Sequence, residues 1–202
     1  MSKKIYLLLF LAFFLTNSEA KQLTNNVIVS IDNSIITELD INKEINFLKF
    51  VNKDQATGSS EPFKKEIINS LIDRKIKDIE TNSFKIEVSE KEIENNLYSY
   101  LERIKINNEI LNSFYNQNEI ENNYLKNIIK IDMNLSKLIR QMYESRLNVN
   151  LTEVNIELEK KDAEDDQELK KQLIITEQNK LLNKFSATHL EKSKKKYLIK
   201  FL

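Results

Sequence analysis

Apolar positions along the chain repeat with two different periods. Residues 27–37 carry Val27, Ile28, Val29 and Ile31, then the polar pair Asp32 and Asn33, then Ile35 and Ile36. The last six residues hold Tyr197, Leu198, Ile199, Phe201 and Leu202 around a single lysine. Both stretches are β-branched or aromatic and read as extended chain, the first as a hairpin and the second as one strand. Between them apolar residues recur every three to four positions, the period of a helix with one buried side. A lone hairpin or strand is marginal in water. The terminal strand is therefore expected to join the N-terminal hairpin. The fold class is mainly α: a multi-helix domain whose two ends are tied by a small β-sheet.

The helices follow from caps and stripes. Thr37, with Asp40 three residues on, forms a capping box for a first helix bearing Leu39, Ile41, Ile45, Leu48 and Val51, widened by Phe47 and Phe50. It fades into residues 52–60, where the only glycine, Gly58, lies. Ser60 is expected to cap a second helix, with Pro62 in its first turn and a stripe from Phe63 to Ile79. Phe84, Ile86 and Val88 alternate across an extended link. Ser89 and Glu92 form another capping box, opening a helix with Ile93, Leu97, Tyr100, Leu101 and Ile104 that Asn107 and Asn108 break. A short helix spans 109–115, and the longest is expected over 119–147. Thr152 caps another short helix. Residues 160–168 are charged and almost devoid of apolar side chains, and a break and an unbroken solvated helix fit them equally well. A final helix resumes at Leu169, and lysines over 192–196 suit the negative end of its dipole.

Composition changes this picture mainly at the N-terminus. Lys3 and Lys4 precede an apolar run over 5–15, followed by Ser18 and Ala20 at the −3 and −1 positions of a cut after Ala20. That is a secretory signal pattern, too short for a membrane span of roughly 20 residues. Residues 1–20 are thus expected to be removed, leaving an exported, periplasmic protein. One glycine, one proline and no cysteine point to long helices held by packing rather than by disulfides. Thirty-one basic and 31 acidic residues leave no net field to attract nucleic acid. Asn134 and Asn150 each begin a glycosylation sequon, but Asn134 falls inside a strong helix pattern and neither is given weight.

The order of elements now resembles a known family. The hairpin around Asp32, Asn33 and Ser34 leads straight into a helix. A long helix follows with Ile68, Asn69, Ser70, Leu71, Ile72, Asp73 and Arg74, then residues 84–89 enter a capped helix. A terminal helix with Asn183, Lys184 and Phe185 ends in the strand at 197–202. This resembles the N-terminal domain of the SurA-like periplasmic chaperones, in which a terminal helix and strand return to that domain. The resemblance covers nearly all of residues 21–202. Those chaperones usually carry parvulin prolyl-isomerase modules where this chain has only 161–168. It implies a helical chaperone domain over 21–160, a short charged linker over 161–168, and a helix and strand over 169–202 that complete the same domain.

Chemistry is sparse. The sole histidine, His189, has no nucleophile partner in sequence and reads as a surface or interface residue. Asp162, Glu164, Asp165, Asp166 and Glu168 lack the glycine and the spacing of a calcium loop. No catalytic residue, metal site or cofactor is expected, and there is no glycine-rich phosphate loop. What remains is apolar surface. The resemblance implies an ATP-independent holdase for unfolded exported polypeptides such as outer-membrane β-barrel proteins, with no isomerase activity. Phe47, Phe50, Phe84, Phe114 and Tyr115 are the expected client contacts, the last three because they sit at ends of elements. One alternative is a non-catalytic assembly or docking subunit for one fixed envelope partner; another is a membrane-anchored accessory of the translocation machinery whose signal stays uncleaved. Exchange of the terminal strand between two copies would give a domain-swapped dimer with the same contacts.

Overall fold

The structure, a computed structural model, describes residues 26–52, 60–161, 163 and 165–202. The expected signal segment and the loop holding Gly58 lie outside them, as do Asp162 and Glu164. Seven helices and three strands appear among the described residues. The chain begins β1 (Val27–Ile31), β2 (Ser34–Thr37), α1 (Glu38–Val51) and α2 (Glu61–Ser83). Next come α3 (Glu90–Arg103), α4 (Asn108–Gln117) and α5 (Tyr124–Tyr143). A 3-10 turn (Glu144–Arg146), α6 (Leu151–Glu159), α7 (Gln167–Lys194) and β3 (Ile199–Phe201) complete it. No described helix is long and apolar enough to cross a membrane.

The three strands form one antiparallel sheet in the order β2-β1-β3. Period-two alternation puts Val29 and Ile31 of β1 on one face, both fully buried, while Ser30 and Ile35 face the other way. The buried face packs on Ile41 of α1 and on Ile67, Leu71, Ile72 and Ile76 of α2. Asp32 makes the two-residue turn at φ 46°, a left-handed value that aspartate tolerates better than most residues. It also clasps the far end of the chain. Its backbone N–H donates to the Leu198 carbonyl (3.2 Å), and its Oδ1 accepts from the Leu198 N–H (2.9 Å). Closure of the sheet by the terminal strand is thus as the pattern of residues implies.

Both expected capping boxes are present. Thr37 Oγ1 accepts from the Asp40 N–H, and Asp40 accepts from the Thr37 N–H (2.8 Å). Ser89 and Glu92 repeat this at α3. Other boundaries differ from expectation. Ser60 stands at the N-cap of α2 but makes no side-chain cap bond. Asn150, not Thr152, caps α6. Asn107 caps α4 rather than merely breaking α3. The helix expected over 119–147 is shorter, Tyr124–Tyr143, and the 28-residue α7 is the longest among the described residues. Residues 160–166 do break the chain: α6 ends at Glu159 and packs back on α7, whose N-cap is Asp166.

One device explains three of these boundaries. Helices α2, α3 and α4 are followed by a left-handed residue, Lys85, Lys105 and Glu119, with φ of 53°, 55° and 53°. In each case the next N–H reaches back to a carbonyl five residues earlier, Ile86 to Thr81, Ile106 to Leu101 and Ile120 to Tyr115. This is the Schellman ending, normally built on glycine. The residue after the turn is isoleucine all three times, and all three are buried. Ile120 is therefore spent on closing α4, which is why α5 starts four residues later. At Phe84 the chain is still in the last turn of α2, so the extended link begins only at Ile86.

A non-glycine residue in this conformation is strained by about 1–2 kcal/mol. Lys105 is exposed, so Lys105→Gly is expected to relieve that strain without losing a packed side chain. After allowance for the more mobile unfolded glycine, the net gain is about 0.5–1 kcal/mol. A thermal melt should show Tm rising by roughly 2 °C, and a fall would mean that Lys105 holds its turn by some other interaction.

Candidate functional site

α5 lies at the centre, packed on α2, α3 and α7. Its buried side is Leu125, Asn134, Leu135, Leu138 and Ile139. Asn134 is buried for a local reason: its Oδ1 accepts the Val88 N–H (3.0 Å) and so pins the entry to α3. A second stripe, Ile128, Ile129, Asp132, Met133, Ser136, Lys137 and Arg140, follows i, i+3, i+4 spacing along the same helix and floors an open cleft of about 1230 Å³. One wall is α3, with Glu92, Asn96, Tyr100 and Arg103; the other comes from α2 and α7, with Ser70, Arg74, Asn179 and Asn183. The cleft is apolar where Tyr100, Ile128, Ile129 and Met133 meet and polar towards Arg140.

A buried ionic network stiffens one end of the cleft. Glu44 of α1, only 2% exposed, takes a two-pronged contact from Arg74 of α2, at 2.7 Å for each nitrogen–oxygen pair. The Tyr124 hydroxyl donates to the same carboxylate. Burial alone would raise the Glu44 pKa. The Arg74 hydrogen bonds and charge, with the Tyr124 hydroxyl, outweigh it and hold the carboxyl below its ordinary value. Tyr124 is pushed well above the usual phenol range by burial and then by the Glu44 charge.

A second network holds the terminal strand. Glu80 of α2 accepts from Tyr197 Oη (2.6 Å) and from Lys196 Nζ (3.1 Å to each oxygen), and its Oε2 lies 3.0 Å from His189 Nε2. Burial opposes the Glu80 charge, but Tyr197 and Lys196 prevail and its pKa is lowered. Tyr197 is raised by burial and by Glu80. His189 is therefore not the surface or interface residue its sequence context suggests. It is buried and works as a structural partner of Glu80. Lys194, in the last turn of α7, pairs with Asp73 (2.7 Å) and Glu191 (2.8 Å).

The five expected client contacts divide. Phe47 reaches the cleft but is only 4% exposed, because it packs edge-on against Tyr124. Phe114 is buried, stacked on Phe50 with ring centroids 4.1 Å apart. Tyr115 is 1% exposed and its hydroxyl accepts the Leu125 N–H (3.1 Å). The expectation that Phe114 and Tyr115 stand open at an element end is overturned: α4 lays both against α1 and α5 to complete a core with Leu101, Ile106 and Leu111. Phe50 is half-buried beside a shallower groove it shares with Ile110 and Phe114. Phe84 alone is well exposed, at 49%, and it lies off the cleft. The floor residues Ile129 and Met133 form a separate stripe, turned well over a quarter of the way around α5 from the buried Leu135 and Leu138, and that offset is the signal that distinguishes them.

No group of three or more His, Asp or Glu side chains among the described residues is placed to hold a metal ion. No protein-family model matches the chain, and no curated protein sequence matches it significantly.

Proposed function

We propose that this protein is a SurA-like periplasmic holdase, acting without ATP and without an isomerase module. Its clients are unfolded exported polypeptides, including outer-membrane β-barrel proteins, and its activity is reversible binding alone. The observation that carries this reading is the cleft. A small-molecule site encloses its ligand in roughly 300–1,000 Å³. This one is about 1230 Å³ and open, with an apolar patch of Met133, Ile128 and Ile129 beside Tyr100 set among polar and charged side chains such as Asp132, Ser136 and Arg140. An apolar patch of this kind adapts to many sequences because a thioether and branched side chains impose no fixed hydrogen-bond pattern of their own. The terminal strand paired with the N-terminal hairpin, and the signal pattern at 3–20, support the same reading.

The test is light scattering as a denatured β-barrel protein is diluted into buffer containing residues 21–202. Near-stoichiometric protein is expected to suppress aggregation by half or more. A folded protein that leaves aggregation unchanged would overturn the reading and point to a single dedicated partner. Phe84→Ala provides a second comparison. Phe84 is exposed and lies off the cleft, so its loss is expected to leave both stability and suppression nearly intact.

A further inference from the structure

The geometry points to a defined client segment: about five or six extended residues, apolar in the middle and carrying carboxylates at both ends. This rests on the chaperone reading and specifies what the cleft selects.

Length comes first. The floor runs from Ile128 to Arg140 along one face of α5. At 1.5 Å per residue that is about 18 Å, which an extended chain at 3.3 Å per residue fills with about five or six residues. α3 runs antiparallel to α5 here. Glu94 of α3 meets Lys126 near the start of α5, and Lys137 donates to the Glu87 carbonyl (2.7 Å) near its end. Arg103, at the C-terminal end of α3, therefore stands at the Leu125 end of the cleft, and Arg140 at the other.

Charge comes next. Three carboxylates line the cleft, and each is already engaged. Glu44 is held by Arg74, Asp132 by Lys77 (2.7 Å), and Glu92 by its capping box with Ser89. Of the cations, Arg74 is taken by Glu44 and Lys137 by the Glu87 carbonyl, whereas Arg103 and Arg140 take part in no ion pair among the described residues. Arg103 lies over the Tyr100 ring at 5.2 Å, and both residues line the cleft wall. Cations at both ends and Tyr100, Ile128, Ile129 and Met133 between them match an apolar segment flanked by Asp or Glu. Complementary charge of this kind sets preference and association rate more than total affinity.

Fluorescence anisotropy of residues 21–202 tests this with labelled peptides of about eight residues. One has an apolar, aromatic-containing centre with aspartates at each end; the other has the same centre with lysines. The acidic peptide is expected to bind about tenfold more tightly at low salt, and the difference to shrink at high salt. Arg103→Glu together with Arg140→Glu, both at exposed positions, should abolish or reverse the preference. Equal binding of the two peptides, or a preference unchanged in the double variant, would overturn the proposal. β-barrel aggregation is followed in the same preparations. Suppression without charge preference sinks this inference and leaves the chaperone reading standing; no suppression and no peptide binding sinks both.

Discussion

Arg74→Ala is expected to destabilise the protein by about 3 to 5 kcal/mol, the usual cost of leaving a buried charge without its partner. Glu44 is 2% exposed and would keep only the Tyr124 hydroxyl once the two guanidinium contacts are lost. With a urea m-value of about 2 kcal/mol/M, the unfolding midpoint should fall by roughly 2 M without a change in slope. Arg74→Lys should recover only part of the loss, since an ammonium offers no two-pronged fork. Glu44→Leu combined with Arg74→Met should be much less harmful than Arg74→Ala alone, because neither charge is then left buried. A loss below about 1 kcal/mol for Arg74→Ala, the range of exposed ion pairs, would mean that the network is solvated.

The same network and its counterpart at Glu80 set the pH range of stability. Both carboxyls have pKa values lowered by folding. Their stabilisation is present above the unfolded value of 4.5 and is lost as pH falls through the folded values. Tyr124 and Tyr197 work in the opposite sense. Folding raises both, so their contribution is present below the unfolded value of 10 and is lost as pH rises through the folded values. Urea midpoints should therefore hold steady across neutral pH and fall on both the acid and the alkaline sides.

Glu80→Ala is expected to release the terminal strand before it unfolds the rest. One side chain holds Tyr197, Lys196 and His189, and these three lie on α7 and on the approach to β3. Removing it strands a buried histidine and frees the lysine and tyrosine that place β3 beside β1. Hydrogen bonds to charged groups are worth about 1.5–3 kcal/mol each, and with solvent reaching Lys196 we expect a total near 3 kcal/mol. The distinctive readout is hydrogen exchange. Leu202 donates to the Ile28 carbonyl (3.0 Å), and that amide should lose protection while amides of α5 keep theirs. Lys200→Pro should act similarly, since the ladder between the Asp32–Leu198 and Ile28–Leu202 pairs makes Ser30–Lys200 a hydrogen-bonded pair. Unchanged protection of β3 in Glu80→Ala would show that sheet pairing alone holds the strand.

The ends of the fold were legible because their signals are local and strong. Alternation at Val29 and Ile31, the capping boxes at Thr37 and Ser89, and the aromatic-rich final six residues each point to one structure. The terminations of α3 and α4 were harder, because a left-handed turn is normally marked by glycine and here Lys105 and Glu119 serve. The recurring isoleucine one residue later was the usable clue. His189 and Glu80 lie 109 positions apart, and no periodicity links them. The cleft was hidden for a related reason. A helix that buries one stripe and opens another, as α5 does with Leu135 and Met133, carries more apolar residues than one face needs. Sequence alone does not say which stripe meets a neighbour. Phe114 and Tyr115 were misplaced because α4 is only ten residues long and both of its ends contribute to the core.

The most direct test of client binding in the cleft is site-specific photo-cross-linking. A photoreactive residue is placed at Met133 on the cleft floor and, in a second protein, at Leu198, an exposed apolar position beside the terminal strand and outside the cleft. Each is mixed with an unfolded β-barrel client and irradiated. Strong adducts from position 133 and weak ones from 198 are the expected result. Equal yields, or adducts from 198 alone, would contradict the assignment of the cleft as the place where unfolded chains are held.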